Sequence, residues 1–135
     1  MESVLLDTDI VSFIMKRHSL AGDYIKHLSG RVLCISFVTV GELFLGAEKA
    51  GWGRKRRDEL EELIKNYVVL PFDHEVAKRY AAVVIGVRKK GKQIDFADAW
   101  IAATSTAFDV PLITHNKKHF KWVPGLEIIS EYKKN

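Results

Sequence analysis

Asp7, Glu42 and Asp98 stand far apart in the chain, yet each falls where an apolar, strand-like run hands over to a loop or helix. That is the edge at which open α/β sheets build their sites. Three carboxylates gathered there would repel one another unless a cation joins them, and hard oxygen ligands suit Mg²⁺ or Mn²⁺. Asp7 follows Val4-Leu5-Leu6, Glu42 comes shortly after Val32-Leu33-Cys34-Ile35, and Asp98 begins the amphipathic segment Ala97 to Phe108. Each also has a plainer reading. Asp7 can cap the helix that follows it, as can Thr8 or Asp9. Thr39-Val40-Gly41-Glu42 fits a capping box, with the glutamate reaching back to the amide of Thr39. Asp95 and Asp98, three apart, point the same way from a first helical turn, with Asp95 as N-cap and Asp98 as ligand. Spacing alone leaves these alternatives open.

Other candidates are weaker. His115 and His119 have the i, i+4 spacing of a zinc helix, but Asn116 stands where the metalloprotease pattern needs glutamate, so they read as surface histidines. Cys34 lies in an apolar run without an activating base and reads as a buried, inert thiol. Thr114, at a strand end, is placed to hydrogen-bond a ligating carboxylate. The cluster Arg88-Lys89-Lys90 with Lys92 immediately precedes Asp95 and Asp98, so the chain sets positive charge beside the acids and can guide a phosphate backbone there. Trp52, between Gly51 and Gly53, reads as a loop residue packed onto the core.

The elements that must position these side chains follow from periodicity. Val4–Leu6, Val32–Ile35, Val68–Leu70, Val110–Thr114 and Leu126–Ile129 read as short strands. Between them lie helical stripes through Ile10, Phe13 and Ile14; through Leu20, Tyr24 and Leu28, stopped at Gly30; through Leu43, Phe44 and Ala47; and through Leu60, Leu63, Ile64 and Tyr67. Glu75–Lys90, capped by Asp73, is β-branched in the middle but reads as helix, and Asp95–Phe108 is the last long helix. Strands alternating with helices predict a parallel sheet of roughly five strands between helical layers, an α/β/α sandwich.

With 135 residues, 47% hydrophobic and 28% charged, the chain is expected to form one domain over 1–135. A net charge of +4 favours an anionic partner. The start Met1-Glu2-Ser3 has no basic region and no apolar run approaches roughly 18 residues, so neither leader nor membrane span is expected. A lone cysteine fits a reducing compartment, and the cytoplasm is the expected location.

Taken together, four pieces resemble the PIN-domain ribonucleases, and within them the VapC toxins of toxin–antitoxin pairs. They are Leu5-Leu6-Asp7-Thr8-Asp9-Ile10; Ser36 to Leu43, ending Gly41-Glu42-Leu43; Asp95-Phe96-Ala97-Asp98-Ala99-Trp100; and Thr114-His115-Asn116-Lys117-Lys118-His119-Phe120 with Val123-Pro124-Gly125-Leu126. The resemblance implies a three-layer PIN-like fold, RNA cleavage dependent on Mg²⁺ or Mn²⁺, dimerisation, and inhibition by a VapB-type antitoxin. It also makes Asp7, Glu42 and Asp98 the site acids, supported by Asp95, Asn116 and Thr114. Many PIN domains carry a fourth acid where this chain has Asn116, so a second metal would need Asp95 or an RNA phosphate to complete it. Two rivals use the same residues. Leu5 to Asp9 also resembles the aspartyl-phosphate motif of haloacid-dehalogenase-type phosphatases, with Asp7 as nucleophile and Asp9 as acid. A PIN-like fold can also serve as a non-catalytic interaction module.

Overall fold

The computed structural model describes residues 2–133. Its strands are β1 (Ser3–Leu6), β2 (Val32–Ser36), β3 (Val68–Leu70), β4 (Leu112–Ile113) and β5 (Ile128–Ile129). They form one sheet in the order β3-β2-β1-β4-β5, with every neighbouring pair parallel. The helices are α1 (Thr8–Met15), α2 (Ile25–Leu28), α3 (Phe37–Lys49), α4 (Arg54–Ile64), α5 (His74–Arg88), α6 (Phe96–Phe108) and α7 (Lys117–Phe120).

Successive side chains of a strand point to opposite faces, so a strand buried on both sides feeds two cores. Val4 and Leu6 pack with Ile10, Val11, Leu43, Ala47 and Leu60 from α1, α3 and α4. Leu5, between them, packs with Val83, Val87, Ala99, Ile101 and Phe120 from α5, α6 and α7. The expected α/β/α layering with a parallel five-stranded sheet is therefore present. On α6, Ala99, Ala102, Ala103 and Ser105 are buried, which is the small-residue stripe that lets a helix sit close to a sheet.

The chain leaves β1 to build β2 and β3 on one side, then returns to place β4 on the other. The strand order thus reverses at β1 and β4, where open α/β sheets open a crevice beyond the strand ends. In the β1/β4 register Leu6 pairs with Ile113, so the next residues, Asp7 and Thr114, emerge side by side. The Asp7 amide donates to the Ile113 carbonyl at 2.9 Å.

Several boundaries differ from the sequence expectation. Helix α1 begins at Thr8 with Asp7 itself as N-cap, so neither Thr8 nor Asp9 fills that place. Ser36 ends β2 and caps α3, its Oγ accepting from the Thr39 amide at 3.1 Å. The capping box at Thr39 and Glu42 therefore does not form. The stripe through Leu20 and Tyr24 is a 3₁₀ segment, Ser19–Tyr24, before α2, and Gly30 beyond it takes the expected left-handed turn with φ +74°. Helix α4 stops at Ile64, leaving Tyr67 in the following loop. The expected helix forms through its β-branched middle but runs from His74 to Arg88, so Lys89 and Lys90 lie beyond its end.

Candidate functional site

Asp7 sits at the crevice, only 6% exposed, and is held at both oxygens. Oδ1 accepts from the Thr8 amide at 2.8 Å and Oδ2 accepts from the Thr114 hydroxyl at 2.7 Å. Thr114 Oγ1 in turn accepts from the Asn116 amide at 3.0 Å. The capping bond therefore occupies only one of the two Asp7 oxygens. Burial and the neighbouring charge of Asp9, opposed by the Thr114 and Thr8 hydrogen bonds, push the Asp7 carboxyl up to about 7, and Glu42 adds to the rise.

Asp98 projects from the first turn of α6 with its side chain 18% exposed. Burial first, then the charge of Asp7, push its carboxyl up to about 6; His119, whose Nδ1 lies 3.4 Å from Asp98 Oδ2, opposes the rise. Asp95 is the N-cap of α6 by position, but its side chain makes no capping bond; it is exposed and lines one cavity with Asp98. Glu42 is exposed on α3 and accepts from Thr8 Oγ1 at 2.7 Å. Because that proton is committed, the Thr8–Thr39 contact of 3.0 Å runs from Thr39 to Thr8, and Ser36 Oγ donates to Thr39 Oγ1 at 3.3 Å. A relay of three hydroxyls, from Ser36 at the end of β2, Thr39 in α3 and Thr8 at the start of α1, therefore fixes Glu42.

Two residues stand beside the candidate acids that sequence expectation placed elsewhere: Asp9, as a cap or as the acid of the phosphatase alternative, and His119, as a surface histidine. Asp9 is a second acid at the crevice, its carboxyl raised chiefly by burial; its oxygens accept from the Ile10 amide at 2.7 Å, the His115 amide at 2.9 Å and Asn116 Nδ2 at 3.2 Å. The Asn116 side chain is therefore engaged by Asp9, away from the Asp7 carboxylate. His115 is not a surface histidine: its half-buried ring is edge-on to Phe13, Tyr24 and Tyr132, and Nδ1 bonds the Tyr24 hydroxyl at 2.5 Å. With His119 turned to Asp98, the two histidines do not pair. Signals for both existed in the chain, since Asp9 is two residues from Asp7 and His119 is in the last motif.

The predicted basic cluster divides. Lys92 lines the cavity beside Asp98, Lys90 donates to the Trp122 carbonyl at 3.0 Å, and Arg88 lines a neighbouring cavity. Lys89 is the C-cap of α5. Cys34 is buried and free, and Trp52 packs on the core with the Arg56 guanidinium 4.0 Å from its ring centre.

A hard divalent cation fits this donor set in chemistry and charge. Two largely buried carboxyls are pushed up by burial and by neighbouring acids, Asp9 acting on Asp7 and Asp7 on Asp98, and among the described residues no lysine or arginine forms an ion pair with Asp7, Asp9, Glu42, Asp95 or Asp98. Among the described residues, no three histidine, cysteine, aspartate or glutamate side chains close on a single metal position.

The family described as PIN domain matches residues 4–126. The chain is 31% identical to the plasmid stability protein StbB of Pseudomonas syringae pv. tomato, over 96% of this chain and 98% of that one. It is 28% identical to Ribonuclease VapC2 of Haemophilus influenzae, over 90% and 92%. Its fold superposes on the crystal structure of DNA-bound VapBC from Salmonella typhimurium with a TM-score of 0.83 at 25% identity, covering 96% and 98% of the two chains.

Proposed function

The chain belongs to the PIN-domain family, and from that premise we propose that it is an endoribonuclease of the VapC kind, the toxin of a toxin–antitoxin pair. Asp7, Asp98 and Glu42 form its site, on a single domain spanning 1–135. The observation that carries the reading is the pair Asp7 and Asp98 at the crevice where the strand order reverses, Asp7 raised by burial and by Asp9, Asp98 by burial and by Asp7. Family membership displaces the phosphatase alternative.

Asp7 and Asp98 would hold a Mg²⁺ or Mn²⁺ ion with Glu42 beside them, and the bound ion supplies Lewis acidity to the phosphate and to the attacking water. The chain's own residues do the positioning. Thr8 and Thr114 aim the two oxygens of Asp7, leaving each with a free lone pair. The hydroxyl relay through Thr39 and Thr8 occupies Oε1 of Glu42, so Oε2 is the oxygen free to orient the water or take its proton. Asn116 supports indirectly: its amide orders Thr114 and its side chain steadies Asp9. Asp95, which lines the same cavity as Asp98 and Lys92, would be available to a second ion if an RNA phosphate completes the shell. Lys92, with Arg88, Lys89 and Lys90 behind it, draws the RNA backbone to the site.

The VapBC neighbour supports a VapB-type antitoxin as the protein partner. Exposed Phe37, Phe72 and Phe96 support a homodimer. Among the described residues no helix is long and apolar enough to cross a membrane, and we place the protein in the cytoplasm.

The test is cleavage of single-stranded RNA by the purified protein with Mg²⁺ or Mn²⁺, with EDTA, and with Asp7→Asn or Asp98→Asn. Cutting is expected only with metal and both acids. Cleavage undiminished by chelation defeats the metal-dependent reading.

A further inference from the structure

Beside Asp98 lies a cavity of about 290 Å³ with a composition unlike the acidic crevice it adjoins. Its wall sets Lys92, Lys118, His119 and Trp122 against the two acids Asp95 and Asp98. Trp122 is placed unusually. Its neighbours Phe120 and Val123 are buried, at 0% and 6% exposure, and anchor the segment to the core, whereas the indole between them stays 36% exposed. Lys90 fixes the backbone by donating to the Trp122 carbonyl, and the ammonium groups of Lys92 and Lys121 each lie 5.1 Å from the indole centre. The result is an anchored, part-exposed aromatic surface flanked by two ammonium groups, next to one of the site acids.

We propose that this cavity is the subsite for the nucleotide adjoining the cleaved bond, whose base stacks on Trp122 and whose phosphate is met by Lys92, Lys118 and Lys121. The proposal rests on the ribonuclease reading above. Exposed aromatic rings bind the faces of unpaired bases, and lysines track the phosphates, which is the usual division of labour in grooves for single-stranded RNA. Size agrees. The volume falls just under the roughly 300–1,000 Å³ of sites for drug-sized ligands, and suits one base rather than a length of strand. The lysines also offset the repulsion that the acids exert on an incoming phosphate.

Cleavage and binding are read separately. Steady-state cleavage of a single-stranded oligoribonucleotide is measured for the parent, Trp122→Ala, Trp122→Tyr and the double variant Lys92→Glu/Lys118→Glu. Binding of the same fluorescein-labelled strand is measured by anisotropy in an Asp7→Asn background over a range of salt. Trp122→Ala should raise KM and Kd roughly tenfold with kcat little changed, whichever base is used, and Trp122→Tyr should restore most of the loss. The double lysine variant should weaken binding and flatten the salt dependence by at least about 0.7 in log–log slope per lysine removed. A duplex RNA of equal length should be indifferent to Trp122→Ala. The two exposed lysines decide the question even where loss of the indole impairs folding. A parent that cuts no RNA overturns the ribonuclease reading, and the subsite falls with it. A parent that cuts, alongside variants with unchanged KM, Kd and salt slope, overturns the subsite alone.

Discussion

Asp7 is asked to be anionic in a place that resists anions. Burial and Asp9 raise its carboxyl, while the hydroxyl of Thr114 and the amide of Thr8 hold it down. Thr114→Val keeps the shape of the side chain but leaves Asp7 Oδ2 without its donor, so metal affinity or cleavage should drop about 10–100-fold. Isothermal titration with Mn²⁺, alongside the cleavage assay, checks this. The raised carboxyls also set the stability of the metal-free protein. With Asp7 at about 7 and Asp98 at about 6, against 3.8 for the ordinary side chain, the folded chain keeps protons that the unfolded chain has already released. Stability in EDTA should therefore fall as pH rises from about 4 to about 7, and Mg²⁺ should recover most of it at the upper end. Asp98→Asn removes one member of the repelling set and should be neutral or stabilising by about 1–2 kcal/mol near pH 7 without metal. Thermal melts in EDTA across that pH range measure both effects. A metal-free variant melting well below its parent would make Asp98 a structural residue.

Secondary structure carries the acids to one place, and the sequence disclosed most of that. Val4-Leu5-Leu6 and Val32 to Ile35 are apolar on both faces, so β1 and β2 could be located, and with them the positions of Asp7 and Glu42. The cap of α3 was misplaced because Ser36 belongs to both strand and helix, a sharing that makes the Thr39–Glu42 pattern look like a start signal. The partners of Asp9 and the hydroxyl relay were hidden for another reason: they depend on which strands lie side by side, since the β1/β4 and β1/β2 pairings bring them together, whereas the Asp98–His119 contact follows from the packing of α6 against α7. The same long-range packing makes Gly86 necessary. A Cβ built there would come 2.8 Å from Pro124 Cγ, and a proline ring in the turn before β5 has little room to yield. Alanine favours helix by about 1 kcal/mol over glycine, but overpacking costs about 1–3 kcal/mol. Gly86→Ala should therefore lower stability by up to about 2 kcal/mol in chemical denaturation; a gain in stability would show that α5 and the Pro124 turn separate freely.

At the scale of the whole molecule, a net charge of +4 favours an anionic polymer, while among the described residues the crevice acids have no lysine or arginine ion-pair partner. A protein inhibitor can exploit the same contrast. An antitoxin that places a basic side chain, such as arginine, among Asp7, Glu42 and Asp98 would satisfy the charges that metal otherwise satisfies, and the two would compete. Its apolar anchor has a place on the α1/α4 side, where Ile14, Met15, Trp52, Leu60 and Leu63 line a cavity of about 290 Å³. Trp52 should lose solvent exposure there on binding, shifting its fluorescence to the blue; Trp52→Phe should remove that signal while leaving the crevice intact. Copurification with the product of the neighbouring open reading frame supplies the complex, and RNA cleavage is then followed as Mg²⁺ is raised. The complex should be silent at low metal and recover activity as the ion displaces the basic side chain. A complex as active as the free protein at every Mg²⁺ concentration would mean that the antitoxin does not enter the acidic crevice.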